Sequence, residues 1–235
     1  MEKIRVFIGT EESQALPTAV CQWSILSRSK AEYEFNELKE IPLKLDQAMY
    51  TGFSFYRFAI PEKSGYAGKS IYVDADMIIL SDLSDLYHLD MGGKAVLSRP
   101  VPAIKAWDTS VMLLDCAKLK HWDIQRWAKL VNMGVIPYKQ TIVGGEGAPN
   151  HRDFGDLDPN WNSWDEYHEG TKLIHYTRVG TQPWKFREHP YAQVFLKELK
   201  SAINNGHIHA DFVQKEIDAG HIYPEILMDV QKLET

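Results

Sequence analysis

An α/β fold is predicted by three features of this sequence. A β-branched run at residues 4–9 leads directly into a helix-spaced run at 11–28, an apolar run at 71–80 carries two acids, and further strand-like runs follow at 94–98 and 110–115. Strands interleaved with helical patterns bury their apolar faces by laying helices on a sheet.

The elements follow in order. Ile4-Arg5-Val6-Phe7-Ile8-Gly9 reads as a short strand ended by Gly, and Leu16, Ala19, Val20, Trp23, Ile25 and Leu26 fall at helical spacing, with Pro17 in the first turn. Residues 33–45, which include Pro42, fit neither period. Residues 54–60 read as helical and stopped by Pro61, and 63–69 as a loop. Ile71 to Leu80 reads as one strand, 82–87 as a short helical turn, and 94–98 and 110–115 as strands. A Trp-rich helix candidate spans 119–131. Residues 144–165 are dense in Gly, Pro, Asn, Asp and Trp, the mark of a functional or disordered loop, and Phe154, Trp161 and Trp164 argue for an ordered one. A short strand at 173–176, an amphipathic helix at 191–203 and a largely polar, peripheral segment at 212–233 complete the chain. No repeat or linker interrupts it, so one domain over 1–235 is expected, with a core at roughly 1–187 and C-terminal helices at 188–235.

Composition excludes several classes. The net charge of −6 lacks the concentrated basic face of a nucleic-acid binder. No apolar stretch approaches the ~18 residues of a membrane span. The start runs straight into the first strand, which reads as a chain without a signal peptide. Cys21 and Cys116 are the only two cysteines, too few for a disulfide scaffold, and both read as buried thiols of a reducing cytoplasm.

The chemistry centres on Asp74-Ala75-Asp76. Two carboxylates in an apolar run repel each other and desolvate at a cost, so a cation is expected. In an extended strand, residues i and i+2 point the same way and reach one ion. Paired hard oxygens suit Mg²⁺ or Mn²⁺ beside a phosphate. Asp156-Leu157-Asp158 has the same spacing but lies between Gly155 and Pro159, where acids cap turns. His175 ends a strand and precedes a loop with Gly180 and Pro183-Trp184; neutral imidazole is a metal ligand, and Gly allows close approach to a phosphate. Arg57, set among Phe53, Phe55, Tyr56 and Phe58, is either a snorkelling surface residue or a buried charge with an anionic partner.

In this order, these blocks resemble the glycosyltransferases of family 8 and their bacterial relatives. The resemblance covers roughly residues 4–184: Gly9-Thr10, the Tyr56-Arg57-Phe58 helix, Tyr72-x-Asp74-Ala75-Asp76, the strand Trp107-Asp108-Thr109-Ser110-Val111-Met112-Leu113-Leu114, Gly155-Asp156-Leu157-Asp158-Pro159-Asn160-Trp161-Asn162, and the His175 to Pro183-Trp184 block. It implies a GT-A, Rossmann-like domain with a mixed central sheet and a C-terminal helical extension. It also implies Mn²⁺ (or Mg²⁺) held by Asp74, Asp76 and His175 on the diphosphate of a nucleotide sugar, with Ala75 between the acids. Ile8, Gly9 and Thr10 would hold base and ribose, Arg57 would sit near sugar or diphosphate, and the loop with Gly180 and Trp184 would close over the phosphates. The implied reaction retains anomeric configuration and moves a hexose, expected from a UDP-sugar, to a glycan, lipid-linked or small-molecule acceptor.

The sequence also departs from the family pattern. Gln182 stands where the family usually carries a phosphate-gripping Lys, and the loop is one residue longer. Asp108 and Ser110 replace the Asn and Gly of the family's Asn-Ser-Gly strand. The Asp-Gln pair that faces the sugar in many relatives is missing; Asp153 is the nearest positional substitute and Glu146 the next, and Asp153 and Asp108 are the two acids expected to act on the sugar. Two further readings therefore stand beside the enzyme: a degenerate nucleotide-sugar-binding protein, and a nucleotidyltransferase or phosphohydrolase on a similar scaffold. The acidic Gly9-Thr10-Glu11-Glu12-Ser13 turn speaks against a triphosphate and so against the last.

Overall fold

The computed structural model describes residues 3–233. In chain order the elements are β1 (Ile4–Gly9), α1 (Ala15–Leu26), β2 (Tyr33–Leu38), α2 (Ile60–Lys63), β3 (Lys69–Asp74), β4 (Met77–Ile79), α3 (Leu83–Tyr87), β5 (Val96–Val101) and β6 (Ala106–Asp115). They continue with α4 (Ile124–Asn132), α5 (Tyr138–Ile142), β7 (Phe154–Asp156), β8 (Ser163–Trp164), β9 (Leu173–His175), α6 (Ala192–Asn204), α7 (Ala210–Asp218) and α8 (Ile226–Lys232). These fall into two compact units. The first holds the chain up to Glu11, Ala31–Asp74 and Ser84–Trp161; the second holds Glu12–Lys30, Ala75–Leu83 and the chain from Asn162.

The first unit is built on a six-stranded sheet in the order β2-β1-β3-β6-β5-β7. β1 is parallel to β2 and β3, β6 is antiparallel to β3 and β5, and β7 is parallel to β5. Five strands therefore point one way and β6 alone runs against them. Register places Gly9 beside Asp74, Val73 beside Val111, Arg99 beside Asp108 and Ser98 beside Asp156. Gly9, Asp74, Asp108 and Asp156 thus share the edge formed by the carboxyl ends of the parallel strands, where open α/β sheets bind ligands. Asp153 precedes β7, whose Phe154 pairs with Val96, and so lies at the opposite end. One face is sealed by Phe55, Phe58, Trp122, Trp127 and Phe154, with Phe58 edge-on to both Trp rings at 5.2 and 5.0 Å. Rings in this geometry add to what burial alone supplies.

The second unit carries a three-stranded sheet, β4-β9-β8. β4 pairs antiparallel with β9, setting Met77 against His175, and β8 is parallel to β9. Its core joins Leu16 and Val20 of α1, Ile78, Ile174, Tyr176 and Trp184 with Phe195, Leu199, Val213, Ile226 and Val230 of the C-terminal helices. Ser24 Oγ accepts the Ile79 N–H at 3.0 Å, tying α1 to β4.

Three expectations are corrected. Ile71 to Leu80 is two strands, because the chain bends at Ala75 and Asp76 and enters a different sheet at Met77. Pro61 does not stop a helix. It lies in the first turn of α2, where its missing N–H goes unused, after a 3₁₀ turn at Tyr56–Ala59. Residues 212–233 are not peripheral, since Val213, Ile226 and Val230 are buried. Residues 33–38, unassigned by periodicity, form β2 at the sheet edge. No helix among the described residues is long and apolar enough to cross a membrane.

Candidate metal and donor site

In the first unit the site begins with a close approach at Gly9. A Cβ there would fall 2.2 Å from Tyr72 Oη and 2.6 Å from the Phe53 ring, so only Gly fits. The Tyr72 hydroxyl donates to Asp74 Oδ1; the two residues are i and i+2 on β3 and share a face. Arg57 is buried beneath them. Its Nε donates to Ser54 O at 2.8 Å, and one terminal nitrogen donates to Thr109 O at 2.5 Å and Thr109 Oγ1 at 2.7 Å. Its other terminal nitrogen lies 3.4 Å from Asp74 Oδ1, and the guanidinium stands 4.8 Å from the Tyr72 ring centre.

Burial disfavours the Arg57 charge, but Tyr72, Asp74 and Asp108 outweigh it and hold the guanidinium above its usual pKa. Of its two possible readings, Arg57 is the buried charge with an anionic partner, and that partner is Asp74. Asp108, in the same electrostatic cluster, accepts from Ser110 N at 2.9 Å and from the Ser110 hydroxyl. Ile8 is fully buried, and Thr10 N–H donates to Leu38 O at 3.4 Å.

The second unit contributes Asp76 and His175. The Asp76 carbonyl accepts from Tyr176 N–H at 3.0 Å, which fixes the bend against the end of β9. His175 Nδ1 lies 3.0 Å from Asn162 Oδ1. An amide oxygen only accepts, so Nδ1 carries the hydrogen, and in the neutral form of the ring Nε2 carries the lone pair. Nε2 faces Asp76 Oδ1 at 3.3 Å. That oxygen is buried and accepts no hydrogen bond. The other carboxylate oxygen, Oδ2, accepts from Gln182 Nε2 at 2.8 Å.

A buried carboxylate oxygen and an imidazole lone pair turned toward each other repel unless a proton or a cation lies between them. Oxygen and nitrogen donors of this kind suit a borderline divalent ion, and an orienting partner on the far ring nitrogen is the usual support of a ligating His. Asp74, Asp76 and His175 form a group that could hold a metal ion. Asp74 is joined to Asp76 through Ala75 alone.

Three supporting residues escaped the sequence reading. Tyr72 had a signal, an aromatic two residues before Asp74 on the same strand face. Asn162 and Gln182 had none as supports, since their partners lie 13 and 106 residues away. Asp153 is not brought to Arg57 and Asp74: its Oδ2 accepts from Trp122 Nε1 at 2.8 Å and meets His121 Nε2 at 2.8 Å, at the far end of the sheet. Glu146 is exposed and lies 3.5 Å from Lys105. Asp156 ends β7 and accepts from Trp107 Nε1 at 2.8 Å, while Asp158 caps the following turn through Asn160 N–H at 3.0 Å. In the His175 loop, Gly180 is exposed, and Trp184 is fully buried against Phe195 at 5.1 Å.

Comparison with known proteins bears on this geometry. A family model described as glycosyl transferase family 8 matches residues 9–126, just over half of the chain. The match takes in Gly9, Arg57, Asp74, Asp76 and Asp108; His175 lies beyond it. Protein CDI of Arabidopsis thaliana is 24% identical over 238 residues, covering 83% of this chain and 86% of that protein. The solved structure of the galactosyltransferase LgtC with donor and acceptor sugar analogues aligns with a TM-score of 0.66 at 13% identity, over 84% of this chain and 96% of that one. The bifunctional glycosyltransferase WbbM aligns with a TM-score of 0.64 at 11% identity, over 83% of this chain, which spans about half (49%) of WbbM. The apo glycosyltransferase GlyE of Streptococcus pneumoniae TIGR4 aligns with a TM-score of 0.63 at 16% identity, over 95% of this chain and 65% of that one. At these identities the structural likeness establishes the fold, which is GT-A.

Proposed function

The chain belongs to glycosyl transferase family 8, and from that premise we propose that it is a metal-dependent, retaining enzyme transferring a hexose from a nucleoside diphosphate sugar, taken to be UDP-linked. The acceptor is a glycan, a lipid-linked saccharide or a small molecule. The reading treats residues 1–235 as one working domain and, from the free buried thiols Cys21 and Cys116, places it in the cytoplasm. One observation supports it: Asp74, Asp76 and His175 bring their ligand atoms together, with His175 Nε2 3.3 Å from an Asp76 Oδ1 that accepts no hydrogen bond.

In this reading Asp74, Asp76 and His175 would hold Mn²⁺ or Mg²⁺, which would supply positive charge to the diphosphate as the nucleoside diphosphate departs. The protein's part is to hold the ligands still. Tyr72 and Arg57 fix the Asp74 carboxylate, Asn162 fixes the His175 tautomer, and Gln182 fixes Asp76. The end of β1 and the residue after it, Ile8-Gly9-Thr10, would take the base and ribose at the sheet edge, and the loop with exposed Gly180, packed by buried Trp184, would close over the phosphates. Arg57 is already committed to Ser54, Thr109 and Asp74, so it positions Asp74 instead of gripping the diphosphate. Of the two acids considered for the sugar, Asp108 is retained because it shares the sheet edge with Asp74.

Calorimetric titration tests this reading. Wild-type protein is expected to bind UDP at least tenfold more tightly with Mn²⁺ than with chelator, and Asp76→Ala to lose that difference. Equal binding in all four conditions would sink the proposal. The second reading, a nucleotide-sugar binder without catalysis, is favoured by one observation: Gln182 is buried on Asp76 and offers no charge to a phosphate. Slow hydrolysis of a UDP-sugar that disappears in Asp76→Ala would remove it.

A further inference from the structure

We propose that Gln182 is a positioning residue for Asp76: its amide engages Oδ2 and fixes the carboxylate so that it meets a metal ion through Oδ1 in preference to both oxygens. The inference rests on the reading that Asp76 and His175 ligate a divalent cation, and it assigns a use to a position at which the chain departs from its family.

The geometry is over-determined. Gln182 has no exposed surface. Its Nε2 donates at 2.8 Å to Asp76 Oδ2 and at 3.0 Å to Tyr176 O. Both partners are acceptors, so the nitrogen and not the oxygen of the amide must point at them. The backbone is held as well, because Gln182 O accepts from Lys185 N–H at 2.8 Å and Phe186 N–H at 2.9 Å. Pro183 follows, and Gln182 adopts the extended ψ of 145° that a residue before proline prefers. A side chain anchored at both ends transmits its position to the carboxylate it holds.

Two consequences follow from charge and denticity. A neutral amide holds Asp76 without placing a second cation beside the ion, as a lysine there would. With one lone pair of Oδ2 engaged and its orientation fixed, a clasp of the ion through both Asp76 oxygens is disfavoured. Bidentate carboxylates serve Ca²⁺, which gathers six to eight oxygens at about 2.3–2.6 Å, better than smaller ions that take six ligands. Gln182 therefore tilts the site toward Mn²⁺ and away from Ca²⁺.

The test measures binding of Mn²⁺ alone by the loss of its free-ion EPR signal, and of Ca²⁺ by displacement of Mn²⁺, on the full chain. Gln182→Met keeps the volume and removes the donor. It is expected to bind Mn²⁺ about 10–100-fold more weakly, the usual effect of losing an outer-shell partner, and to shift the Ca²⁺-to-Mn²⁺ affinity ratio toward Ca²⁺. Gln182→Lys keeps a donor on Oδ2, so both ions are expected to weaken together with the ratio unchanged; it also serves if the Met variant does not fold. A Met variant with wild-type Mn²⁺ affinity and ratio, or a Lys variant whose ratio moves toward Ca²⁺, would overturn the assignment. Wild-type protein that binds neither ion would instead remove the metal reading beneath it.

Discussion

The smallest residue of the site governs the placement of one of its charges. Gly9 leaves the space that the Tyr72 hydroxyl and Phe53 ring fill, and that hydroxyl holds Asp74. Gly9→Ala forces those groups aside and is expected to lose about 1–3 kcal/mol, read as a lower urea midpoint, together with weaker UDP binding. An unchanged midpoint would mean that the pocket is looser than described. Arg57→Met strips the buried cation from Asp74 and leaves that carboxylate the Tyr72 hydroxyl; removing one member of a buried pair costs about 3–5 kcal/mol, and a loss under about 1 kcal/mol would contradict its placement. His189 belongs to the same scale. Burial lowers its pKa, opposed by Asp165, while Arg178 adds to the lowering; Tyr191 N–H donates to its Nδ1 at 3.1 Å, and the Tyr176 ring lies 5.1 Å away. A depressed His pKa means that the unfolded chain binds the proton first. Its stabilising contribution is therefore complete above about pH 6.5 and is lost as pH falls through the lower folded value. Chemical denaturation at pH 7 and pH 5 is expected to show a shallower acid loss in His189→Gln than in wild type; equal slopes would refute the assignment.

Among the elements, the bend after β3 matters most. Periodicity reads Ile71 to Leu80 as one strand because both halves are apolar; it cannot show that they belong to different sheets. The pairing partners decide this, and His175, which pairs with Met77, is about a hundred residues away. The acid pair stands out in the sequence because two carboxylates in an apolar run invite a cation, and His175 because an imidazole at a strand end is a ligand type; the structure sets the three in one group that could hold a metal ion. Asn162 and Gln182 were not, because an amide reveals its role only through what it touches. The C-terminal helices escape periodicity for a related reason: α7 and α8, at nine and seven residues, are too short to display a helical stripe, yet Val213, Ile226 and Val230 reach the core. Ile226 is fully buried, and Ile226→Ala is expected to lower stability by about 2–5 kcal/mol. A loss below about 0.5 kcal/mol in a denaturant titration would restore the peripheral reading.

At the scale of the molecule, the mixed sheet, the matched family and the acid pair support one reading: a GT-A glycosyltransferase whose donor site is built around a divalent ion. Ligand binding must then appear as stability. Mn²⁺ and UDP together, with UDP at about 100 times its dissociation constant, are expected to add about 2.7 kcal/mol, visible as a melting temperature raised above that given by either component alone. The choice between catalyst and silent binder turns on the sugar side, where Asp108 is the retained acid and the chain departs from its family. The metal side can be tested without knowing donor or acceptor. The most direct measurement is the hyperfine spectrum of Mn²⁺ bound to the protein, recorded with and without UDP. The account predicts coupling to an imidazole nitrogen that vanishes in His175→Ala, and coupling to phosphorus once UDP is added. Bound Mn²⁺ with no nitrogen coupling, or with the same coupling in His175→Ala, would contradict it.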